Sequence, residues 1–378
     1  MNAADSPPAA SAAAMANAVG LVYVTDRDDG WQRQRTRSGF TYVDAEGRAI
    51  RDRQALERIR RLAIPPAYDN VWICADARGH LQATGRDARR RKQYRYHPEW
   101  RVVRDGAKFD RMAAFGAALP LLRRRLRKDL ASPALTRAKV VATVVTLLDA
   151  CRARVGNDAY ARDNGSFGLT TLRNRHVEGV RGGKLRLRFR GKGGVEHEIA
   201  VDDARVARIV RHCHQLPGQR LFQYLDDDGE LHPVDSGQVN DYLREVMGAD
   251  FTAKDFRTWG ATQRAVELLA RVPRPAEGSE REAKAVIVDV VRRVAGELRN
   301  TPAVCRKSYI NPVVFDAWHN GTFERLARQG AGRRGGGGES HTLALLRAAA
   351  RETSAAKRGR NGRVSRVATK TAAIAAAL

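Results

Sequence analysis

The sequence predicts an α+β protein: a small β-rich N-terminal domain, then a larger and mainly helical domain containing a short antiparallel sheet. Three observations lead there. Short strand-like runs between turn residues fill residues 20–102, and a helical period of apolar residues takes over beyond about 105. A clean two-residue alternation then interrupts the helices between about 169 and 201. At 378 residues the chain is long enough for two or three domains, and 43% hydrophobic residues suffice for ordinary cores.

Residues 1–19 are rich in Ala, Ser and Pro and nearly uncharged. They lack the basic start and Leu-rich run of a signal peptide and are expected to be a disordered leader, with order beginning at Leu21. Residues 39–43 form a strand that runs into the turn 44–47. A helix with Leu56, Ile59 and Leu62 on one face follows and ends at Pro65-Pro66. Strands at 71–74 and 80–84 meet at the turn 76–79, which completes an N-terminal domain over 20–102.

The second domain is expected over 103–328. Ser132-Pro133 has the pattern of an N-cap and first helical residue, and Val140, Val141, Val144, Val145 and Leu148 mark a buried helix face. Leu185, Leu187 and Phe189 alternate with Arg186, Arg188 and Arg190, giving a strand with one basic face. The turn Gly191-Lys192-Gly193-Gly194 joins it to a partner strand over 195–201. Thr252-x-x-Asp255 and Ser279-x-x-Glu282 have the spacing of capping boxes. Residues 329–378 carry ten Lys and Arg against two Asp and Glu. They are expected to be a basic, disordered tail, with a short helix permitted at 343–350.

Charge narrows the partner. The chain holds 68 Lys and Arg against 42 Asp and Glu, a net +26, and its isoelectric point is near 10.8. Such a surplus attracts polyanions, and its spread along the whole chain suits a long phosphate backbone. There is no basic amphipathic helix, no lipidation signal and no apolar run near the roughly 20 residues of a membrane span. Nucleic acid is therefore the expected partner, with no membrane. The four cysteines lie far apart, as in a reducing compartment, so a cytoplasmic, nucleoid-associated setting is expected.

Several chemistries are left without support. There is no GxxxxGK[ST] loop, which argues against a nucleotide cofactor, and no HExxH. His212-Cys213-His214 is too tight for a usual zinc site and reads as a helix end; Asp226-Asp227-Asp228-Gly229 misses the calcium-loop spacing and reads as a surface turn. No cofactor and no metal are expected. What remains is a set of basic residues beside glycines and aromatics.

Those residues fall in a telling order. They are Gln93-Tyr94-x-Tyr96 with His97-Pro98, Arg154-x-Gly156-Asn157, and Tyr160-x-x-x-Asn164-x-Ser166-x-Gly168-Leu169-Thr170-Thr171-Leu172. Phe189-x-Gly191-Lys192, Lys254-Asp255-x-Arg257-Thr258, Asn300-Thr301-Pro302 and Ser308-Tyr309 follow. From about Gly39 to Phe323 the chain resembles the type IB DNA topoisomerases, in the compact form shared by poxviruses and many bacteria.

The resemblance implies a catalytic set of Arg154, Lys192, Arg257, Asn300 and the nucleophile Tyr309, acting through a 3′-phosphotyrosyl link in a monomer. Poxvirus-type members carry histidine where this chain has Asn300; an amide still donates a hydrogen bond but carries no charge, so a neutral donor role is expected. Two guanidiniums suit the charge that gathers on a phosphodiester under attack, and a neighbouring cation such as Arg257 helps the phenol lose its proton. A lysine on a hairpin tip, its pKa lowered by nearby arginines, suits protonation of the leaving 5′-oxygen as a general acid.

The basic, aromatic stretch 86–96 suits DNA contact through Arg90, Lys92, Gln93, Tyr94 and Tyr96, with Lys254 joining them. Two other readings stay open on sequence alone. A tyrosine site-specific recombinase shares this chemistry but usually shows His-x-x-Arg where this chain has Lys254-x-x-Arg257. A non-enzymatic DNA-compacting protein would rely on the basic tail.

Overall fold

The computed structural model describes residues 9–37, 39–88, 90, 92–274, 279–330 and 337–351. They divide into two compact units, one ending at Phe109 and one starting at Asp110. The α+β organisation is as the sequence predicts.

The first unit holds α1 (Ala9–Asn17), β1 (Gly30–Thr36), β2 (Gly39–Val43), α2 (Arg53–Arg61), β3 (Asp69–Cys74), β4 (Leu81–Arg86), β5 (Lys92–Tyr96) and α3 (Pro98–Asp110). Its five strands form one antiparallel sheet in the order β2-β1-β3-β4-β5. Trp31 pairs with Ile73 and Ile73 with Ala83, so these side chains share one face and pack there against Ile59 of α2. Helix α2 starts at Asp52, whose carboxylate accepts from the N–H of Ala55 at 2.7 Å. Strands β1 (GWQRQRT) and β5 (KQYRY) escape the sequence reading because their polar and basic residues hide the two-residue period.

The leader differs from expectation. Over its described part it is helical: α1 buries Ala12 and Ala16 against Leu21 and Trp100. Small alanines let the helix lie close on the indole, and the burial replaces the missing charge pattern as its source of order.

The second unit contains α4 (Met112–Leu130), α5 (Arg137–Cys151), α6 (Asp158–Asn164), β6 (Val177–Arg181), β7 (Lys184–Arg190), β8 (Glu196–Asp202) and α7 (Ala204–Gln215). After these come β9 (Gln223–Leu225), β10 (Leu231–Pro233), α8 (Ser236–Met247), α9 (Ala253–Leu269), α10 (Glu280–Glu297), α11 (Pro302–Ser308), α12 (Val313–His319), α13 (Thr322–Gly330) and α14 (338–351). Helix α5 is buried almost all round, with Val140, Val144, Val145, Leu147 and Leu148 fully inside. It begins after Thr136, whose hydroxyl accepts from Lys139 N–H at 3.4 Å, so Pro133 lies ahead of the helix and is not its first residue. Thr252 and Asp255 form their capping box, whereas Ser279 makes no side-chain cap bond.

Strands β6, β7 and β8 make a three-stranded antiparallel sheet. Leu185, Leu187 and Phe189 face inward opposite Val201, Ile199 and His197. The outward arginines are not a free cationic stripe. Arg186 pairs with Glu198 at 3.5 Å, and Arg188 with Glu178 at 3.4 Å and Glu196 at 3.8 Å. Cys213 is buried in α7, and Asp226 closes a surface turn, accepting from the N–H groups of Asp228 and Glu230. Among the described residues no helix is long and apolar enough to cross a membrane.

The expected tail from 329 onward needs correction where it is described. Helix α14 packs Leu345 into the cluster built by α9, α10 and α12. Arg123 of α4 holds its first turn, binding Glu339 at 2.7 Å through both terminal nitrogens and Asp149 of α5 at 2.8 and 3.1 Å. The Arg123 pairing holds the Glu339 carboxyl below its ordinary value. The linker 331–336 and the basic stretch 352–378 lie outside the described residues, as do residues 1–8.

Arg123→Ala removes the guanidinium that two carboxylates share and is expected to cost about 2 kcal/mol in a urea melt. Because Glu339 titrates low in the folded chain, its share is complete above the ordinary value of 4.5 and fades as pH falls through the lower folded one. The stability gap between wild type and Arg123→Ala should therefore narrow below about pH 4.5.

Candidate active site

Arg257 lies at the centre of the second unit, 3% exposed on α9. Its Nη1 donates to the carbonyl of Arg152, the residue that ends α5, and its Nη2 donates to the carbonyl of Leu298, which ends α10, at 3.0 Å. Both acceptors are orphan carbonyls at helix C-termini, where partial negative charge gathers. Each such contact is worth roughly 1 kcal/mol, while burying a guanidinium costs several. Stability alone does not account for this residue.

Arg152 takes the left-handed conformation (φ 53°), which turns the chain out of α5 and into Arg154. The segment is pinned by Leu169 N–H on Arg154 O at 2.9 Å and Thr170 N–H on Val155 O at 2.7 Å. Here two backbones cross. Gly156 sits at φ +114°, and a Cβ on Gly168 would lie 2.5 Å from Gly156 N and 2.6 Å from Arg154 O. Both glycines of the motif are required by this crossing.

Asn300 occupies the tight link from α10 to α11. Its N–H reaches back to Ala295 O at 2.9 Å, and Thr301 and Pro302 start the next helix. Arg154 Nη2 donates to Asn300 Oδ1 at 2.7 Å. With its oxygen so engaged, the amide presents Nδ2 as a donor. Asn300 Nδ2, Arg154 Nη1 and Arg257 Nε are all buried, and among the described residues these three atoms have no hydrogen-bond partner. Three N–H groups left in this way suit an anion.

Tyr309 follows the last turn of α11. Its N–H donates to Cys305 O at 2.9 Å, and its carbonyl accepts from the buried Thr262 hydroxyl at 3.2 Å, so its backbone is fixed from both sides. The Arg257 guanidinium stands 5.0 Å from the ring centroid. Burial pushes the phenol pKa up, but the charges of Arg257 and Arg154, with Lys254 behind them, outweigh it and hold the hydroxyl below its ordinary value.

Of the five expected catalytic residues, Arg154, Arg257, Asn300 and Tyr309 are thus brought together. Lys192 is not. It stays exposed at the β7–β8 hairpin tip, and no hydrogen bond ties it to that group. Lys254, expected among the DNA-binding residues, stands one turn before Arg257 and acts electrostatically on Tyr309.

The remaining DNA-contact candidates lie in the first unit. Tyr94 and Tyr96 stack at 6.0 Å, Lys92 lies over Tyr94 and pairs with Asp26, and Arg90 is exposed. Gln93 pairs with Gly85 in register while Tyr94 pairs with Thr84, so the glutamine and the tyrosine face opposite sides of the sheet. Gln93 instead donates to Asp87 at 3.0 Å. Arg89 and Arg91 lie outside the described residues.

One neighbour was missed. His197 is buried beside the hairpin, within electrostatic reach of Arg154, Arg299 and Arg257. A histidine in the inward register of Ile199 and Val201 was the available signal. Among the described residues no group of three His, Cys, Asp or Glu is placed to hold a metal ion.

Comparison with known proteins fits this geometry. Residues 97–320 match the family model for the catalytic core of eukaryotic DNA topoisomerase I, and 39–87 that for the N-terminal domain of bacterial DNA topoisomerase IB. The chain belongs to the type IB DNA topoisomerases. The DNA topoisomerase 1B of Acanthamoeba polyphaga mimivirus is 31% identical over 297 residues, which cover 77% of this chain and 88% of that protein. The DNA topoisomerase 1B of Vaccinia virus (strain Copenhagen) is 22% identical over 70% of this chain and 82% of its own. The Arabidopsis thaliana DNA topoisomerase 1 beta matches at 25% over 47% of this chain and 18% of its own. This topoisomerase carries its four clustered candidates inside the core match, and helices α1 and α14 lie outside both matches.

An ultraviolet titration of wild type minus Tyr309→Phe should show a phenol ionising below the ordinary 10. In an Arg257→Ala background the same difference is expected to move upward, since the largest favourable charge is gone.

Proposed function

We propose that this topoisomerase relaxes supercoiled duplex DNA by cutting one strand through Tyr309 and resealing it. The observation that carries the reading is the trio of buried, unpartnered N–H groups of Arg154, Arg257 and Asn300 beside a phenol of lowered pKa. A scissile phosphodiester seated there would have its non-bridging oxygens held by these donors. They gain strength as charge builds up in the transition state, because the site is desolvated.

The Tyr309 oxygen, its proton lost to solvent, attacks phosphorus in line, and the bond to the 5′-oxygen breaks. Lys192 gives that oxygen its proton. Its exposed hairpin tip, with Gly193 and Gly194 both at positive φ, suits a group that closes on DNA only when DNA is bound. The product is a 3′-phosphotyrosyl ester, which keeps the energy of the broken bond. After the free strand swivels, the same steps in reverse reseal it, so neither ATP nor a metal ion is called for.

Lys92, Tyr94, Tyr96 and Arg90 would contact backbone or sugar, and Gln93 a base edge on leaving Asp87. Since one chain carries the whole set, we expect a monomer acting on nucleoid DNA in the cytoplasm.

Relaxation of a supercoiled plasmid in EDTA without ATP tests the reading. Wild type should relax it and Tyr309→Phe should not, although both shift DNA on a gel. Arg154→Ala and Asn300→Ala are each expected to lose about a hundred- to a thousandfold in cleavage rate. Lys192→Ala should fall within about a hundred- to ten-thousandfold. Relaxation by Tyr309→Phe at the wild-type rate would overturn the assignment of the nucleophile.

A further inference from the structure

The Lys192 hairpin has a wedge at its root. Its turn is closed by Gly191 N–H on Val195 O at 2.8 Å and Gly194 N–H on Gly191 O at 3.1 Å. Under Gly191 lies His197. A Cβ built on Gly191 would stand 2.5 Å from Cδ2 and 2.6 Å from Nε2 of the imidazole, so no side chain fits there while the ring is in place. That contact is made by the ring's Cδ2–Nε2 edge, while its face stacks on Phe189 at 5.1 Å and 4°. His197 is 6% exposed.

Burial and the guanidiniums of Arg154, Arg299 and Arg257 lower its pKa to about 4, so the ring is neutral at pH 7. A neutral ring can pack within electrostatic reach of the arginines without adding repulsion, whereas a cation could not.

We propose that His197 is a positioning residue for Lys192: with its face on Phe189 and its Cδ2–Nε2 edge against Gly191, it sets the angle at which the hairpin tip carries the lysine toward bound DNA. This rests on the reading of Lys192 as proton donor to the leaving oxygen. It also gives Gly191 a physical role, because an alanine there would push the ring or the tip aside.

The test separates loss of proton donation from general damage. A duplex is made with sulfur in place of the bridging 5′-oxygen at a mapped cleavage site. A thiolate leaves without a proton, since a thiol ionises near pH 8.5 and an alcohol far higher. His197→Ala and Gly191→Ala should each cut ordinary DNA about ten- to a hundredfold more slowly and the sulfur duplex at nearly the wild-type rate. His197→Phe, which keeps a flat ring, should retain most activity on both. Adding His197→Ala to Lys192→Ala should cost nothing more, because both act on one step.

An equal defect on both duplexes, a wild-type rate for His197→Ala on ordinary DNA, or additive losses in the double variant would overturn the proposal. If His197→Ala does not melt cooperatively near the wild-type temperature, Gly191→Ala decides by the same comparison. Lys192→Ala left slow on the sulfur duplex would overturn the proton-donor reading and this proposal together. Covalent complex formed by Tyr309→Phe would instead mark failure of the nucleophile assignment.

Discussion

One buried guanidinium sets the geometry of the candidate site. Arg257 joins the carbonyl that ends α5 to the carbonyl that ends α10, and two residues beyond each carbonyl stands a member of the candidate site, Arg154 on one side and Asn300 on the other. The same guanidinium lies beside the Tyr309 ring. Without that link the two helix ends would have no common reference. The lowered phenol pKa follows from the same charge together with those of Arg154 and Lys254, held in a place where water does little to screen them. Its burial is costly and is offset by helix-end carbonyls and a polarised ring, an arrangement suited to binding an anion more than to holding a fold together.

Close backbone approach is the second constraint. Gly168 lies against Gly156, a Cβ on Gly260 would meet the Arg152 side chain at 2.1 Å, and Gly191 lies against His197. Each of these contacts lies on a segment carrying a candidate cation, and a methyl group at Gly168 would run into the backbone of Arg154 and Gly156. Thr262 performs the matching task for Tyr309, accepting from Asn311 N–H at 3.0 Å while donating to the Tyr309 carbonyl. The rigid parts of the site are therefore held by backbone and small residues. Lys192, on a glycine-rich tip, has no such restraint beyond the His197 wedge.

The second unit extends past the stretch it shares with the family model. Helix α14 places Leu345 among the buried residues of α9, α10 and α12, and Glu339 reaches Arg123, which in turn holds α5 through Asp149. Because α5 and α9 supply Arg152 and Arg257, this clamp supports the elements that carry the site. In the first unit α1 adds a similar outlying piece, closing over Trp100 with two alanines.

Sequence alone determined the two-part α+β organisation, the β7–β8 hairpin and four of the residues that the fold brings together as the candidate site. Apolar periodicity is a local property, and the motif order from Gln93 to Tyr309 is read along the chain. It missed β1 and β5, whose polar residues mask the strand period, and α1, and it allowed only the 343–350 part of α14; the order of both helices comes from the surfaces they cover and not from their own composition. Charge counting also misjudged β7, since the glutamates that neutralise its arginines belong to β6 and β8. Only the tertiary structure decided which way the Asn300 amide points, that Arg257 anchors two helix ends, that Gln93 and Tyr94 face opposite sides of a sheet, and that His197 lies under Gly191. Each depends on residues far apart in sequence meeting at a few ångströms, a distance that no periodicity or spacing encodes.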